Sequence, residues 1–420
     1  MIYPVYTLKN VMEELDFSGL LACYSDKGRT GFNPIMLYAV VTYANMRGVR
    51  SVDRIVDLCQ RDLAFIWLTK GQKPQRDAFY DFKGKKLTGE VLDELNYQFM
   101  RRLKKEKLIT LKELYIDGTK IEANANRYTF VWRGSLNYHL ANLLDTIDAL
   151  YSKKEDHMMN GQLKPAYNVQ IAVENYFIIH GYVSNDRTDY NTLIPVLEKH
   201  RNAFGDTLEA VTADSGYCSE KNLLYLKENE IRSYIKLQDH EKRKTRAYKE
   251  DIGKYSNMTY AVFEDEHYYI CHDGRELRHI RTESKEQDGY TQTVEVYGCA
   301  DCSGCEHKSK CLYRYNAEKN PDRNKIMKIN ERWEELKEES NANIQSEEGI
   351  LKRQTRSIQT EGHFGDIKEN ENFRRFNYRS EEKVYKEFML YAIGRNIIKY
   401  HRFLHDEIEK YEGKKEQKTA

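Results

Sequence analysis

The sequence predicts a mixed α/β protein: a mixed sheet with flanking helices, preceded by an all-α module and interrupted by a β-rich insertion that carries a four-cysteine cluster. Three observations predict it. Apolar residues recur at helical spacing from Asn33 to about Lys107. From Leu111 the period becomes that of strands, and helical spacing returns from Gly349, after the cysteines. At 420 residues the chain exceeds one small core, and it divides into 1–108, 109–239, 240–345, 346–412 and a tail, 413–420.

Composition narrows the class. Hydrophobic residues are 40% and charged ones 32%, which excludes a disordered or fibrous chain. No apolar run approaches the roughly 20 residues that span a bilayer, and Met1-Ile2-Tyr3-Pro4-Val5-Tyr6 lacks the order of a signal peptide. A cytoplasmic protein with no membrane partner is therefore expected. The net charge of +1 leaves nucleic acid open, because 67 Lys and Arg can gather on one face.

The helical module has readable ends. Asn33 is an N-cap, Pro34 suits the first helical position, and Gly48 stops the helix that runs through Met46. Ser51 caps a second helix to Cys59, and the apolar segment from Leu63 to Leu68 precedes breaks at Gly71 and Pro74. Thr88 opens a longer helix with Val91, Leu95, Phe99 and Leu103 on one face, ending in Arg101, Arg102, Lys104 and Lys105. Those cations can hold DNA phosphates or simply complement the helix dipole.

Tyr115 to Ile121, Ala166 to Val173 and Tyr176 to Val183 read as strands, the last two close enough to pair as a hairpin; Tyr138 to Tyr151 is a helical excursion. A helix from Asn191 to about His200 follows, then a strand from Leu208 to Asp214, a helix from Ser219 to Glu228, and a strand from Ile231 to Lys236. The order βββαβαβ is that of a mixed sheet packed by helices. Lys236 to Lys249 holds six basic residues against two acidic ones, Lys242, Arg243 and Lys244 among them, and reads as an exposed connection. Thr259 to Glu264, His267 to His272 and Gln292 to Tyr297 alternate around Asp273-Gly274 and Asp288-Gly289 as the insertion's own sheet, before a charged helix around Trp333.

A helix from Gly349 to about Glu369 and a final helix from Ser380, with Val384, Phe388, Tyr391, Ile398 and Leu404 on its core face, complete the pattern before a frayed tail. Lys352 to Arg379 holds seven basic residues against four acidic, including Arg353, Arg356, Arg374 and Arg375, with Phe364, Phe373, Phe376 and Tyr378 interleaved. Such a stretch suits phosphate contacts with stacking on an opened DNA end, and it suits a packed core equally.

Cys299-x2-Cys302-x2-Cys305-x5-Cys311 has the spacing of a structural Zn²⁺ site, closed to water by its fourth thiolate. An iron–sulfur cluster is the rival, although the last spacing is wrong for it, and free thiols are the third reading. Cys23, Cys59, Cys218 and Cys271 are scattered and read as small buried apolar residues.

Three carboxylates stand out. Asp117 ends the first strand ahead of Gly118, Asp214 ends the fourth, and Glu361 lies on the helix after the insertion. Asp-Gly-Thr is also ordinary turn chemistry. If the two strands are neighbours and the helix crosses their edge, the three acids share a point and need cations there. Hard oxygen ligands favour Mg²⁺ or Mn²⁺, and two such ions are suited to in-line displacement at a phosphodiester.

The blocks Tyr115-Ile116-Asp117-Gly118-Thr119-Lys120-Ile121-Glu122, Thr212-Ala213-Asp214-Ser215-Gly216-Tyr217 and Gln359-Thr360-Glu361-Gly362-His363-Phe364-Gly365-Asp366-Ile367-Lys368 resemble the three motif blocks of bacterial insertion-sequence DDE transposases. The helical module, with Arg50-Ser51-Val52-Asp53 and Phe65-Ile66-Trp67-Leu68, is similar to the InsH-type N-terminal domain of those enzymes. The resemblance implies an RNase-H-like core that cuts double-stranded DNA at the element's terminal repeats and joins the 3′-hydroxyl to target DNA, in the bacterial cytoplasm at the nucleoid. It implies that Asp117, Asp214 and Glu361 are the metal-binding triad, that Lys368 lies beside the transferred end, and that two copies pair the ends. In part of the superfamily a tyrosine and an arginine precede the glutamate; here Arg353 and Arg356 are present without the tyrosine. A metal-dependent nuclease that does not join strands, and a DNA-binding relative with a silent site, are the alternatives.

Overall fold

The structure is a computed structural model that describes residues 3–24, 31–125, 131–132, 155–157, 162–264, 266–287, 290–370 and 373–419. The helix expected from Tyr138 to Tyr151 and the Asp288-Gly289 turn lie outside the described residues. The chain forms two compact units, Met1–Tyr217 with Leu351–Ala420, and Cys218–Ile350.

The first unit opens with α1 Pro4–Met12 and α2 Ser18–Ala22, followed by α3 Pro34–Met46, α4 Val52–Arg61, α5 Leu63–Leu68, α6 Arg76–Asp81 and α7 Gly89–Lys105. Several ends are set locally. Asn33 Oδ1 accepts from the N–H groups of Ile35 (2.8 Å) and Met36 (3.1 Å), Thr88 accepts from Val91, and Asp62 caps α5. Ser51 precedes α4 but its side chain makes no capping bond. Gly48 turns the chain away at φ +68°.

The sheet follows: β1 Glu113–Glu122, the short β2 Val131–Trp132 and β3 Glu155–His157, β4 Gln162–Glu174, β5 Phe177–Ser184 and β6 Ala210–Ala213, with α8 Leu193–Phe204 between β5 and β6. β5 pairs with β4 and β4 with β1, both antiparallel, whereas β6 lies parallel to β1. The hairpin between β4 and β5 turns through Asn175 and Tyr176, whose φ values of 46° and 65° suit a tight right-twisted turn. Asp117 does not end its strand. β1 runs on to Glu122 because β4 stays in register beside it, Asp117 opposite Ile171 and Gly118 opposite Gln170.

The second unit contains α9 Glu220–Glu228, β7 Arg232–Ile235 and an antiparallel five-stranded sheet in the order β12-β11-β10-β9-β8. Its strands are β8 Thr259–Phe263, β9 Glu266–Ile270, β10 Glu276–Gln287, β11 Tyr290–Cys299 and β12 Ile326–Ile329; α10 Glu331–Gln345 follows. The unit starts at Cys218. Glu220, 5% exposed, ties it together by accepting from Asn330 Nδ2 (2.7 Å), Gln292 Nε2 (3.0 Å) and Arg332 Nε (3.0 Å).

Helix α11 Glu347–Arg356 then leads into a π-helical turn Ser357–Glu361, a short α12 Gly362–Gly365, a second π-helical turn Asp366–Asn370, and α13 Glu381–Thr419. The helix passes through Gly362 and Gly365 without breaking, and α13 continues through the stretch expected to fray. Phe373 and Phe376 are buried and stack edge-on at 5.2 Å, so the core reading holds for these two. α13 packs on α3 and β5 closely enough that a Cβ on Gly394 would lie 2.8 Å from the Met46 nitrogen. Arg50, before α4, bonds Glu387 of α13 at 2.9 Å and lies over the Phe373 ring. No helix among the described residues is long and apolar enough to cross a membrane.

Candidate active site

The parallel register of β1 and β6 pairs Tyr115 with Thr212, so Asp117 and Asp214, each two residues further, stand abreast at one sheet edge. Two local bonds orient them. Asp214 Oδ1 accepts the Gly216 N–H (2.7 Å), and Asp117 Oδ1 accepts that of Gly118 (2.9 Å). Burial lifts both carboxyls above their ordinary range. At Asp117 the Arg356 guanidinium opposes the rise and Asp214 adds to it; at Asp214 the Gly216 N–H and Arg356 oppose, and Asp189 adds.

Glu361 arrives from the other end of the unit. Arg356 Nη1 bonds Asp117 Oδ2 at 2.9 Å, and Nη2 lies 3.4 Å from Glu361 Oε1. Thr360 Oγ1 donates to the same Asp117 oxygen at 3.0 Å. The π-helical turn makes this possible. Residues five apart in an α-helix point about 140° away from each other, whereas i→i+5 bonding brings Arg356 and Glu361 onto one side. Arg356 and Asp117 are only 16% and 14% exposed, but Glu361 is 60% exposed.

A second layer supports the acids. Asp189 Oδ1 accepts from Asn168 Nδ2 and Gln170 Nε2, both at 2.8 Å, and the Tyr217 hydroxyl bonds Gln170 Oε1. A Cβ on Gly118 would fall 2.4 Å from Gln170 Nε2, so glycine is present at 118 for this close approach and not for a bend. Sequence reasoning passed over Thr360, Asp189, Asn168, Gln170 and Tyr217. The available signal was two buried polar residues at alternate positions of an otherwise apolar strand.

The other expected site residues are dispersed. Lys368 lies in the second π-helical turn, seven residues beyond Glu361. Arg353 has a buried Nε with no hydrogen-bond partner. Arg374 and Arg375 are exposed, and Arg375 bonds the Ala125 carbonyl. Arg102 pairs with Glu106 (2.9 Å) and Glu14 (3.3 Å), and Arg101 with Glu94 (3.0 Å); Lys104 and Lys105 are exposed at the end of α7. In the second unit Arg243 pairs with Asp239 (3.0 Å) and Lys244 with Glu241 (3.2 Å), and Lys242 is exposed. Cys299, Cys302, Cys305 and Cys311 line one small cavity, and Cys271 lines it too rather than serving as an isolated apolar residue.

Among the described residues, no three His, Cys, Asp or Glu side chains converge on a point that would hold a metal ion as they stand. At the sheet edge the reason is visible: the cation among the carboxylates is Arg356. The donor set itself is all oxygen and fits Mg²⁺ or Mn²⁺.

In this mixed α/β unit Asp117 stands beside Asp214, and Arg356 links Asp117 to Glu361. Residues 3–85 match the family model of a transposase domain (DUF772), and residues 270–401 match that of a transposase DDE domain. The two matches span just over half of the chain, which belongs to the DDE transposases of insertion-sequence type, a family that typically uses divalent metal ions. Asp117 and Asp214 lie outside both matched ranges; Glu361 lies inside the second. A search of curated proteins found no match. Among solved structures, the piggyBac transposase synaptic complex with hairpin DNA shares 11% identity, over 96% of this chain and 75% of its own, at a TM-score of 0.34. A likeness of that size carries no argument.

Proposed function

We propose that the chain cuts double-stranded DNA at the terminal repeats of an insertion sequence and joins the freed 3′-hydroxyl to target DNA. The observation that carries this reading is the parallel register that sets Asp117 beside Asp214, with Arg356 linking Asp117 to Glu361. The strand order β5-β4-β1-β6, three antiparallel neighbours and then a parallel one, supports an RNase-H-like core.

Asp117, Asp214 and Glu361 would hold two Mg²⁺ or Mn²⁺ ions, which when bound activate the attacking oxygen and stabilise the leaving one. The Gly216 N–H and Thr360 hydroxyl keep the aspartates oriented. Arg356 is the group that yields its place among the carboxylates, and its guanidinium is then free to pair with a phosphate. Lys368 acts beside the transferred end. Arg353, Arg374, Arg375, Lys104, Lys105 and Lys242 contribute to the DNA-facing surface. Residues 1–108 grip the ends, and two copies bring the ends together. Zn²⁺ on the cysteine cluster is structural.

The test uses a labelled duplex carrying the DNA that flanks the gene, with Mg²⁺ or Mn²⁺, beside the Asp214→Ala variant. Cleavage with joining to a second duplex, absent in the variant, is the expected result. Cleavage without joining points to a nuclease, and binding without cleavage by either protein to a silent relative.

A further inference from the structure

Five cysteines, not four, face one cavity in the second unit. The cavity is about 20 Å³ and is lined by Cys271, Cys299, Cys302, Cys305 and Cys311, with Arg275, Lys308 and Lys325 around them. That volume suits a single small occupant. A closed tetrahedral site takes four thiolates, so one cysteine is surplus.

The surroundings of Cys299 and Cys271 decide which. Cys299 ends β11 opposite Leu277, in an apolar cluster that also holds Cys302 and against which Cys271 packs, so the hydrogen bonds of the sulfurs distinguish them. Its Sγ–H donates to the Asp301 carbonyl at 3.2 Å. Cys302 has the opposite role, its sulfur accepting the Lys325 N–H at 3.4 Å, as a metal-bound thiolate does.

Cys271 sits in a tight turn suited to ligation. Its N–H bonds the Arg275 carbonyl and its own carbonyl accepts the Gly274 N–H, both at 2.9 Å, with Gly274 at φ +76°. Arg275 Nη1 bonds the Asp301 carbonyl at 2.8 Å and so fixes this turn to the loop that bears Cys302. The charges also agree. Four thiolates around Zn²⁺ carry a net charge of about −2, and Arg275, Lys308 and Lys325 supply compensating cations at the cavity wall.

We propose that the cavity is a structural zinc site whose ligands are Cys271, Cys302, Cys305 and Cys311, with Cys299 beside it, its sulfur engaged by the Asp301 carbonyl. This rests on the zinc reading above and changes its ligand set. The thiols line one cavity without meeting at one point. The site would staple the β9–β10 turn to the 299–311 loop.

The experiment is metal analysis of the full chain and of Cys271→Ser, Cys271→His and Cys299→Ser, with the Co²⁺-substituted proteins read by their visible absorption. One zinc per chain is expected in the parent and in Cys299→Ser, with a tetrahedral thiolate spectrum. Cys271→Ser loses both, and Cys271→His, which can still ligate, regains the metal with a shifted spectrum; a hairpin that merely misfolds would not recover. Zinc kept by Cys271→Ser and lost by Cys299→Ser would overturn the ligand set and leave the zinc reading standing. A parent that carries no zinc, or carries iron instead, would overturn both.

Discussion

Arg356 reaches across from the end of α11 to Asp117, 2.9 Å away, and thereby places a fixed positive charge where the family's chemistry requires mobile ones. On the proposed reading, Arg356 and a divalent ion would compete for the same oxygens. Arg356→Gln is expected to tighten binding of Ca²⁺, a non-reactive probe, by about tenfold in the absence of DNA. Titration calorimetry on parent and variant checks this, and equal affinities would remove Arg356 as a competitor.

Gly118 and Gln170 share one space. Gly118→Ala pushes a methyl into the Gln170 amide, 2.4 Å away, and is expected to cost about 1–3 kcal/mol. Gln170→Ala removes the partner of a buried tyrosine hydroxyl and costs a similar amount. The double variant should lose less than the sum, because alanine at 170 makes room for the methyl. Urea unfolding of all four proteins gives the coupling directly.

A buried histidine pair makes the fold acid-sensitive. His200 Nε2–H faces the Leu111 carbonyl (3.2 Å), its Nδ1 faces His180 Nε2 (2.9 Å), and His180 Nδ1 faces the Tyr97 hydroxyl (3.3 Å), a chain that is satisfied with both rings neutral. Burial lowers His180 well below its usual range and His200 to about 4. The unfolded chain therefore takes up protons first. Stability is full above about pH 6.5 and falls toward about pH 4, by on the order of 3 kcal/mol for His200 alone. Thermal melts across that range should show the fall, and His200→Gln, which keeps a donor and an acceptor, should flatten it.

Gly394 is where α13 meets α3. A methyl there would lie 2.8 Å from the Met46 nitrogen and 3.0 Å from Asn45, both in a helix that cannot recede. Gly394→Ala should destabilise the first unit by about 1–3 kcal/mol despite the better helix propensity of alanine. A lowered melting temperature checks it.

What the sequence showed was what neighbouring residues decide. Asn33-Pro34 and Thr88 mark helix starts by bonds made within three residues, and the strands β1, β4, β5 and β6 follow from side-chain period. Asp117 and Asp214 stood out because aspartate is costly on a buried strand, whereas Glu361 was singled out through the resemblance. The role of Arg356 was not. Counting along an ordinary helix turns it away from Glu361, and only the π-helical turn restores it. Cys271 was missed for the complementary reason: it joins the other cysteines through the pairing of β9, β10 and β11, far apart in sequence.

The route of the chain also orders events on the ribosome. Asp117 and Asp214 emerge early, the whole second unit is made next, and Glu361 and α13 follow. Until α13 is made, Gly181 of β5 lacks the cover of Phe388 and Met389. A product cut short after Asp214 would leave β5 without that cover.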